Sequence, residues 1–333
     1  MESKHKSKNQ SIDRHNLAAT LDNFPKQIEE ASLLGKGISF SGMKNIVVCG
    51  VGGSALPGEF TRSAVESTVP VFIVKDYTLS KYVTKDSLIF AVSYSGNTEE
   101  TLSAYGEARK RGAQIVVIAS GGELIKKAKE DKTAYVQVPT GIPPRMSIGY
   151  QTAPILNILA QSGITPAIDW KQMVNSMEKE AVGIKKEAQK LAQRVKNKIP
   201  LIYASARFHA VAYKWKKDFN ENTKIHAFSN YFPEFNHNEI NGYVNLNGNY
   251  IVFIIKDQED HPRIKKRMEV IAELIKEKGV EVITIETKGP DILTRMFLTV
   301  WLGDWISYDC AIELGTDPTP VDIIEDLKRK MRE

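Results

Sequence analysis

Cysteine is nearly absent from this chain: 333 residues hold two, Cys49 and Cys310. Neither stands in a metal or redox spacing. That excludes a disulfide framework, a zinc ribbon and a thioredoxin-like pair, and it fits a reducing interior. Histidine is scarce too, at six. No cluster of His and carboxylates has metal-ligand spacing, so no metal and no cofactor is expected. No apolar stretch is long enough to cross a bilayer, and the opening residues hold no signal-peptide apolar run. The expected location is therefore cytoplasmic, with no membrane partner. Neither sign of charge dominates: 45 Lys and Arg against 40 Asp and Glu leave +5. The basic run Lys4-His5-Lys6-Ser7-Lys8 has no interleaved aromatic residues, so it reads as a solvated tail and no nucleic-acid partner is expected.

Two nucleotide signatures are missing as well. Gly50-Val51-Gly52-Gly53-Ser54 follows the short apolar run 45–49, but no Lys stands where a Walker loop needs one. The G-x-G is present, yet the third glycine of a dinucleotide fingerprint is not. No acidic residue clearly ends the second strand, Asp76 being the nearest. What is present is a second turn of the same kind. Ser93-Tyr94-Ser95-Gly96-Asn97-Thr98 joins the apolar run 88–92 to a helical segment. A strand that runs into a small hydroxyl-rich turn and then a helix aims N–H groups, hydroxyls and a positive helix end at one point. Taken singly, each hydroxyl reads better as a turn cap, with Thr98 as N-cap. Two such turns in one parallel sheet point instead to a monophosphorylated small molecule, held by Gly52, Gly53, Ser54, Ser93, Ser95 and Thr98.

The strand candidates are short, apolar and non-alternating, as buried parallel strands should be. They are residues 45–49, 69–74, 88–92, 114–119 and 135–138, then 199–204, 224–227, 250–255 and 280–285. Helical stripes lie between them, for example Leu102, Tyr105 and Ala108 before Gly112, and Met268, Ile271, Ala272 and Ile275 before Gly279. Residues 108–118 and 275–285 carry the same helix–Gly–strand pattern. The fold class is α/β, as two tandem doubly wound parallel-sheet units of flavodoxin-like type. The expected division is a tail and leading helix at 1–36, a phosphate-binding domain at 37–165, a linker helix at 166–198, and a second domain at 199–333. The apolar segment 294–314 is expected to pack between domains or between subunits.

The copies differ at their turns. Where the first has Ser-Gly-Asn-Thr, the second has Lys256-Asp257-Gln258-Glu259-Asp260-His261. Those carboxylates would repel a phosphate, which frees the second copy to supply chemistry. Its polar segments 217–224 and 232–240 hold Glu221, Glu234, His237 and Glu239. A carboxylate with a histidine is the least needed to shift a proton between neighbouring carbons and open a sugar ring. Alone, Glu221 reads as a solvated helix end and His237 as a turn residue. Arg145, stiffened by Pro143 and Pro144, could steady a developing oxygen charge; alone, it reads as a surface Arg after a linker.

With these strings in hand, the chain resembles the sugar isomerase (SIS) domain family, and within it the bifunctional phosphoglucose/phosphomannose isomerases. The matching pieces run from about Asn45 to Lys328: Gly50-Val51-Gly52-Gly53-Ser54, the nine residues 93–101, Pro144-Arg145, the five residues 220–224, and Asn236-His237-Asn238-Glu239. The resemblance implies roles. Ser54, Ser93, Ser95 and Thr98 would grip a sugar phosphate. Glu221 would carry the proton between C1 and C2, and Arg145 would stabilise the cis-enediol(ate). His237 would help open the ring from the partner subunit of a homodimer. Lys328 would complete the site, and Thr319 would help accept mannose phosphate beside glucose phosphate. Two alternatives stay open: a non-catalytic sugar-phosphate-binding regulator, and an isomerase of another phosphosugar. The first lacks room for a helix-turn-helix head and has no use for Glu221 or His237. The second is the work of single-domain members.

Overall fold

The computed structural model describes residues 11–64 and 67–331, so the basic run at 4–8 lies outside the described residues. Two compact units emerge, Asn23–Glu178 and the remainder, residues 11–22 with 179–331. The sequence-based division set 1–36 apart as a leader. In the structure the helix Phe24–Ala31 packs with the first unit, and Gln27 is bonded within it at both ends of its amide.

The first unit is a five-stranded parallel sheet: β1 (Asn45–Cys49), β2 (Val71–Val74), β3 (Ser87–Val92), β4 (Gln114–Ala119) and β5 (Ala134–Gln137), in the order β2-β1-β3-β4-β5. Its helices, numbered along the whole chain after α1 (Leu17–Asp22), are α2 (Phe24–Ala31), α3 (Leu56–Ala64), α4 (Glu99–Lys110), α5 (Gly122–Glu130) and α6 (Ile148–Gln161). The non-alternating strand sequences are explained by burial on both faces. Ile46, Val48, Leu88 and Phe90 share a cluster with Ala31, Ile155 and Ile158. Val47, Ile89, Ala91 and Val117 share the opposite one with Tyr105, Ala108 and Leu124. β2 begins two residues later than expected, after Pro70, which has no N–H to give the ladder.

A long helix, α7 (Trp170–Val195), leads to the second unit. Here the sheet is β6 (Ile199–Ser205), β7 (Phe228–Phe232), β8 (Tyr250–Lys256) and β9 (Glu281–Glu286), in the order β7-β6-β8-β9, all parallel. Its helices are α8 (His209–Asp218), α9 (Pro262–Glu277), α10 (Ile292–Glu313) and α11 (Asp322–Lys330). The strand order repeats that of the first sheet without its fifth strand. The expected strand at 224–227 is corrected to Phe228–Phe232. Residues 219–223 form a single π-helical turn, and Lys224 adopts a left-handed conformation that ends it. β7 is an edge strand, half-exposed through Ser229, Asn230 and Tyr231, so it lacks the apolar run of a buried strand.

Nearly every residue of α10 is buried. Its apolar length has partners inside its own unit: Trp215 Nε1 of α8 donates to the Thr299 carbonyl at 2.8 Å, and Trp301 Nε1 to the Leu21 carbonyl of α1 at 2.7 Å. Half-buried Asp309 near its end is an electrostatic cost. Burial, then the nearby Glu313, pushes its carboxyl up to about 7, with Lys185 opposing. The unfolded chain releases that proton near pH ~4. Between these values the folded state holds a proton that the unfolded state has lost, so stability falls as pH rises through this window and levels above it. Asp309→Asn should therefore raise the melting temperature by a few degrees at pH 8 and leave it unchanged at pH 4. Equal gains at both pH values would assign the effect to something other than this ionisation.

Candidate active site

In the first unit, the reversal of strand order falls between β1 and β3, where α/β sheets open a crevice at their carboxyl ends. Both hydroxyl-bearing turns leave from there. Gly52 takes φ +61° in a 3₁₀ turn, Gly52–Ala55, that leads into α3. Ser54 is buried, and its Oγ accepts the Tyr94 N–H at 3.2 Å, which ties this turn to the second. In the second turn, buried Ser93 Oγ accepts the Gly96 N–H at 3.1 Å and shares a hydrogen bond with Thr98 Oγ1 at 2.9 Å. Ser93 thus lies under the loop, with Thr98 half-exposed above it and Ser95 fully exposed. Thr98 stands at the N-cap position of α4 with extended backbone, and its hydroxyl makes no capping bond. That removes the simplest structural reason for a Thr here.

Close contacts tie these turns to their neighbours. Gly96 has φ +72°, and a Cβ on it would lie 1.8 Å from the Gly121 carbonyl oxygen of the next turn. A Cβ on Gly53 would come within 3.3–3.4 Å of the Pro144 carbonyl and Arg145 Cα. The glycine turn therefore abuts the 3₁₀ turn Pro144–Met146 that carries Arg145, which is 5% exposed. That turn is fixed by a residue no motif flagged. Gln27 Nε2 donates to the Met146 carbonyl at 2.9 Å, and Gln27 Oε1 accepts the Gly149 N–H at 2.9 Å. The first unit thus brings together Gly52, Gly53, Ser54, Ser93, Ser95, Thr98 and Arg145.

In the second unit, the matching reversal lies between β6 and β8, and its crevice is filled by the chain's own charges. Asp257 is buried and accepts from Arg295 Nε at 2.7 Å, Arg295 Nη2 at 3.3 Å and Thr287 Oγ1 at 2.5 Å. Glu259 pairs with Arg295 at 2.8 Å and Arg207 at 3.1 Å. The carboxylates of 256–261 are therefore not a bare repulsive patch. Asp257 and Glu259 are paired in place with the guanidiniums of Arg295 and Arg207.

The candidate acids and bases stand on different elements of the second unit. Glu239 accepts from Tyr203 Oη and Asn230 Nδ2, both at 2.6 Å, which engages both oxygens. Burial, then Tyr243 and Glu239, raises Tyr203 far above the usual phenol value, so it stays a donor. Glu234 accepts from Asn238 Nδ2 at 3.0 Å. Glu221 is half-buried on the π turn Phe219–Thr223, a helical irregularity that recurs at functional sites. Its carbonyl accepts from Lys224 Nζ at 2.7 Å, and the same ammonium donates to the carbonyls of Asp317 and Pro318 at 3.0 and 2.9 Å. Lys224 therefore ties the Glu221 turn to the loop of half-buried Thr319, a role that its place in the Asn-Glu-Asn-Thr-Lys string did not disclose. His237 is exposed on the 3₁₀ turn Glu234–His237. Lys328 is exposed on α11 and paired with Glu325 at 2.7 Å.

Two family models between them match most of the chain. Residues 39–161 match the SIS domain model, and residues 184–331 match the bacterial phospho-glucose isomerase C-terminal SIS domain. The C-terminal domain of glucosamine-fructose-6-phosphate aminotransferase from Francisella tularensis shares the fold. It superposes with a TM-score of 0.70 at 16% identity, over 90% of this chain and 97% of that one. The chain is thus a tandem pair of SIS domains. The bifunctional phosphoglucose/phosphomannose isomerase of Aquifex aeolicus is 35% identical over 87% of this chain and 91% of its own length. The enzyme of the same name from Caldicellulosiruptor bescii is 36% identical over 93% and 97%. This chain belongs to the bifunctional phosphoglucose/phosphomannose isomerase family.

Proposed function

We propose that the chain interconverts glucose 6-phosphate and mannose 6-phosphate with fructose 6-phosphate, by moving one proton between C1 and C2 through a cis-enediol(ate). The observation that carries this is the contrast between the two copies. The first places the hydroxyls of two turns at its switch point, while in the second the loop after β8 holds the ion pair of Asp257 and Arg295. On this reading the phosphate goes to Ser54, Ser95 and Thr98, with Ser93 beneath them. The N–H groups at the start of α4 add their positive end.

Glu221 is the base in this account. Its half-buried place on the π turn Phe219–Thr223, a helical irregularity that recurs at functional sites, supports that choice. The proton leaves C2 of the aldose and returns to C1 on the same face of a planar intermediate, so one carboxylate serves both carbons. Arg145 stabilises the oxygen charge that develops meanwhile, an effect worth ~3 kcal/mol when such a donor is lost. His237 assists ring opening from the neighbouring subunit of a homodimer, a reading supported by its exposure at a turn surface.

The phosphate assignment has its own test. Replacing Ser95 and Thr98 together by Ala should raise KM for fructose 6-phosphate at least tenfold and change kcat much less, because the phosphate is held alike in ground and transition states. An unchanged KM would move the anion away from this turn.

A further inference from the structure

Glu221 sits where a helix changes pitch. α8 ends at Asp218, and the chain then widens into the single π turn Phe219–Thr223. Both ends of that turn are gripped by α10. Before it, fully buried Lys214 Nζ donates to Asp218 Oδ1 and to Asp304 Oδ1, each at 2.5 Å. At its far end, Asn222 Nδ2 donates to Ser307 Oγ at 2.9 Å, and Thr223 Oγ1 to the Ser307 carbonyl at 2.7 Å. Asp304 and Ser307 lie one turn apart on α10, and Ser307 Oγ donates to the Asp304 carbonyl at 2.8 Å. One buried helical face thus holds the residues on either side of Glu221.

A buried cation with two acids is a poor source of stability, since apolar replacements of such clusters are often neutral or better. Burial opposes the charge on Lys214, and Asp218 and Asp304 together hold its ammonium above the ordinary value. Burial also raises the Asp218 carboxyl well above its usual range, against Lys214 and with Asp304. What these contacts do supply is direction: two fixed bonds at one end of the turn and two at the other.

We propose that Asp304 and Ser307 are positioning residues for the isomerisation, fixing the π turn so that the Glu221 carboxylate is aimed for proton transfer. The inference rests on Glu221 being the base. It is tested with Asp304→Asn, which keeps an acceptor for Lys214 but removes the charge, and with Ser307→Ala, which removes one hydroxyl under Asn222. Both are assayed with fructose 6-phosphate well below their melting temperatures, beside Glu221→Gln. A misplacement near 1 Å costs about 100-fold, so kcat should fall about 100-fold in Asp304→Asn and on the order of 10-fold in Ser307→Ala. KM should stay within about twofold, and the loss should vanish when either change is added to Glu221→Gln. If Asp304→Asn does not fold, Ser307→Ala decides alone. Normal kcat in the variants beside an inactive Glu221→Gln overturns this inference and leaves the base assignment standing. Normal turnover in Glu221→Gln removes the base assignment, and the inference with it. A rise in KM matching the fall in kcat marks general damage and also overturns the positioning role.

Discussion

Glu221→Gln should give a folded protein that binds sugar phosphate and turns it over a hundred- to ten-thousand-fold more slowly, on the order of what losing a general base costs. The amide keeps the size of the side chain but cannot take the proton. Binding should persist, because the proposed phosphate turns belong to the other unit, Asn23–Glu178. Glucose and mannose phosphates differ only at C2, so one base serving both predicts that the two activities fall together. Loss of one activity alone would mean two bases. Co-expression adds a reading on assembly. If His237 serves the neighbouring subunit, a Glu221→Gln chain co-expressed with a His237→Ala chain should recover part of the turnover through mixed dimers. No recovery, with mixed dimers isolated, would place His237 in its own chain's site.

Arg295→Met should be among the most destabilising single changes in the second unit. The guanidinium holds Asp257 through two bonds and Glu259 through a third, with no side-chain exposure of its own. Removing it leaves Asp257 charged and buried with only Thr287 and backbone groups around it. Breaking such a pair costs ~3–5 kcal/mol, whereas replacing both partners by apolar residues is often close to neutral. The double variant Arg295→Met with Asp257→Leu should therefore recover most of the melting temperature lost by the single one. Neither variant touches the proposed phosphate turns. A single variant that melts with the parent protein would show that the pair is not what fills this crevice.

The sequence disclosed the parts of this protein that depend on local pattern. Buried parallel strands show as apolar runs because both faces are covered, as with Val47 and Val48 on opposite sides of β1. The two glycine- and hydroxyl-bearing turns after β1 and β3 show because each directly follows such an apolar run. β7 was missed because an edge strand of Ser229, Asn230 and Tyr231 has no such run. The π turn was missed because nothing in Phe219–Thr223 marks it. Its determinants are Asp304 and Ser307, more than eighty positions along the chain. Gln27 and Lys224 escaped for a related reason: each works by hydrogen bonds to backbone carbonyls, which leave no motif. The carboxylates at 256–261 were legible as unsuited to phosphate, but their partner Arg295 was not, being brought in from α10 by the fold.

The most direct test of the whole account is to incubate the purified protein with fructose 6-phosphate in D₂O containing EDTA and to follow the sugars by NMR. Proton transfer by a single carboxylate between C1 and C2 predicts that glucose 6-phosphate and mannose 6-phosphate both form, with deuterium at C2 in the fraction whose proton exchanges on the carboxylate before its return, and that Glu221→Gln forms both at least about a hundredfold more slowly. Fructose 6-phosphate left unchanged, or Glu221→Gln forming both aldoses at the parent rate, would contradict it.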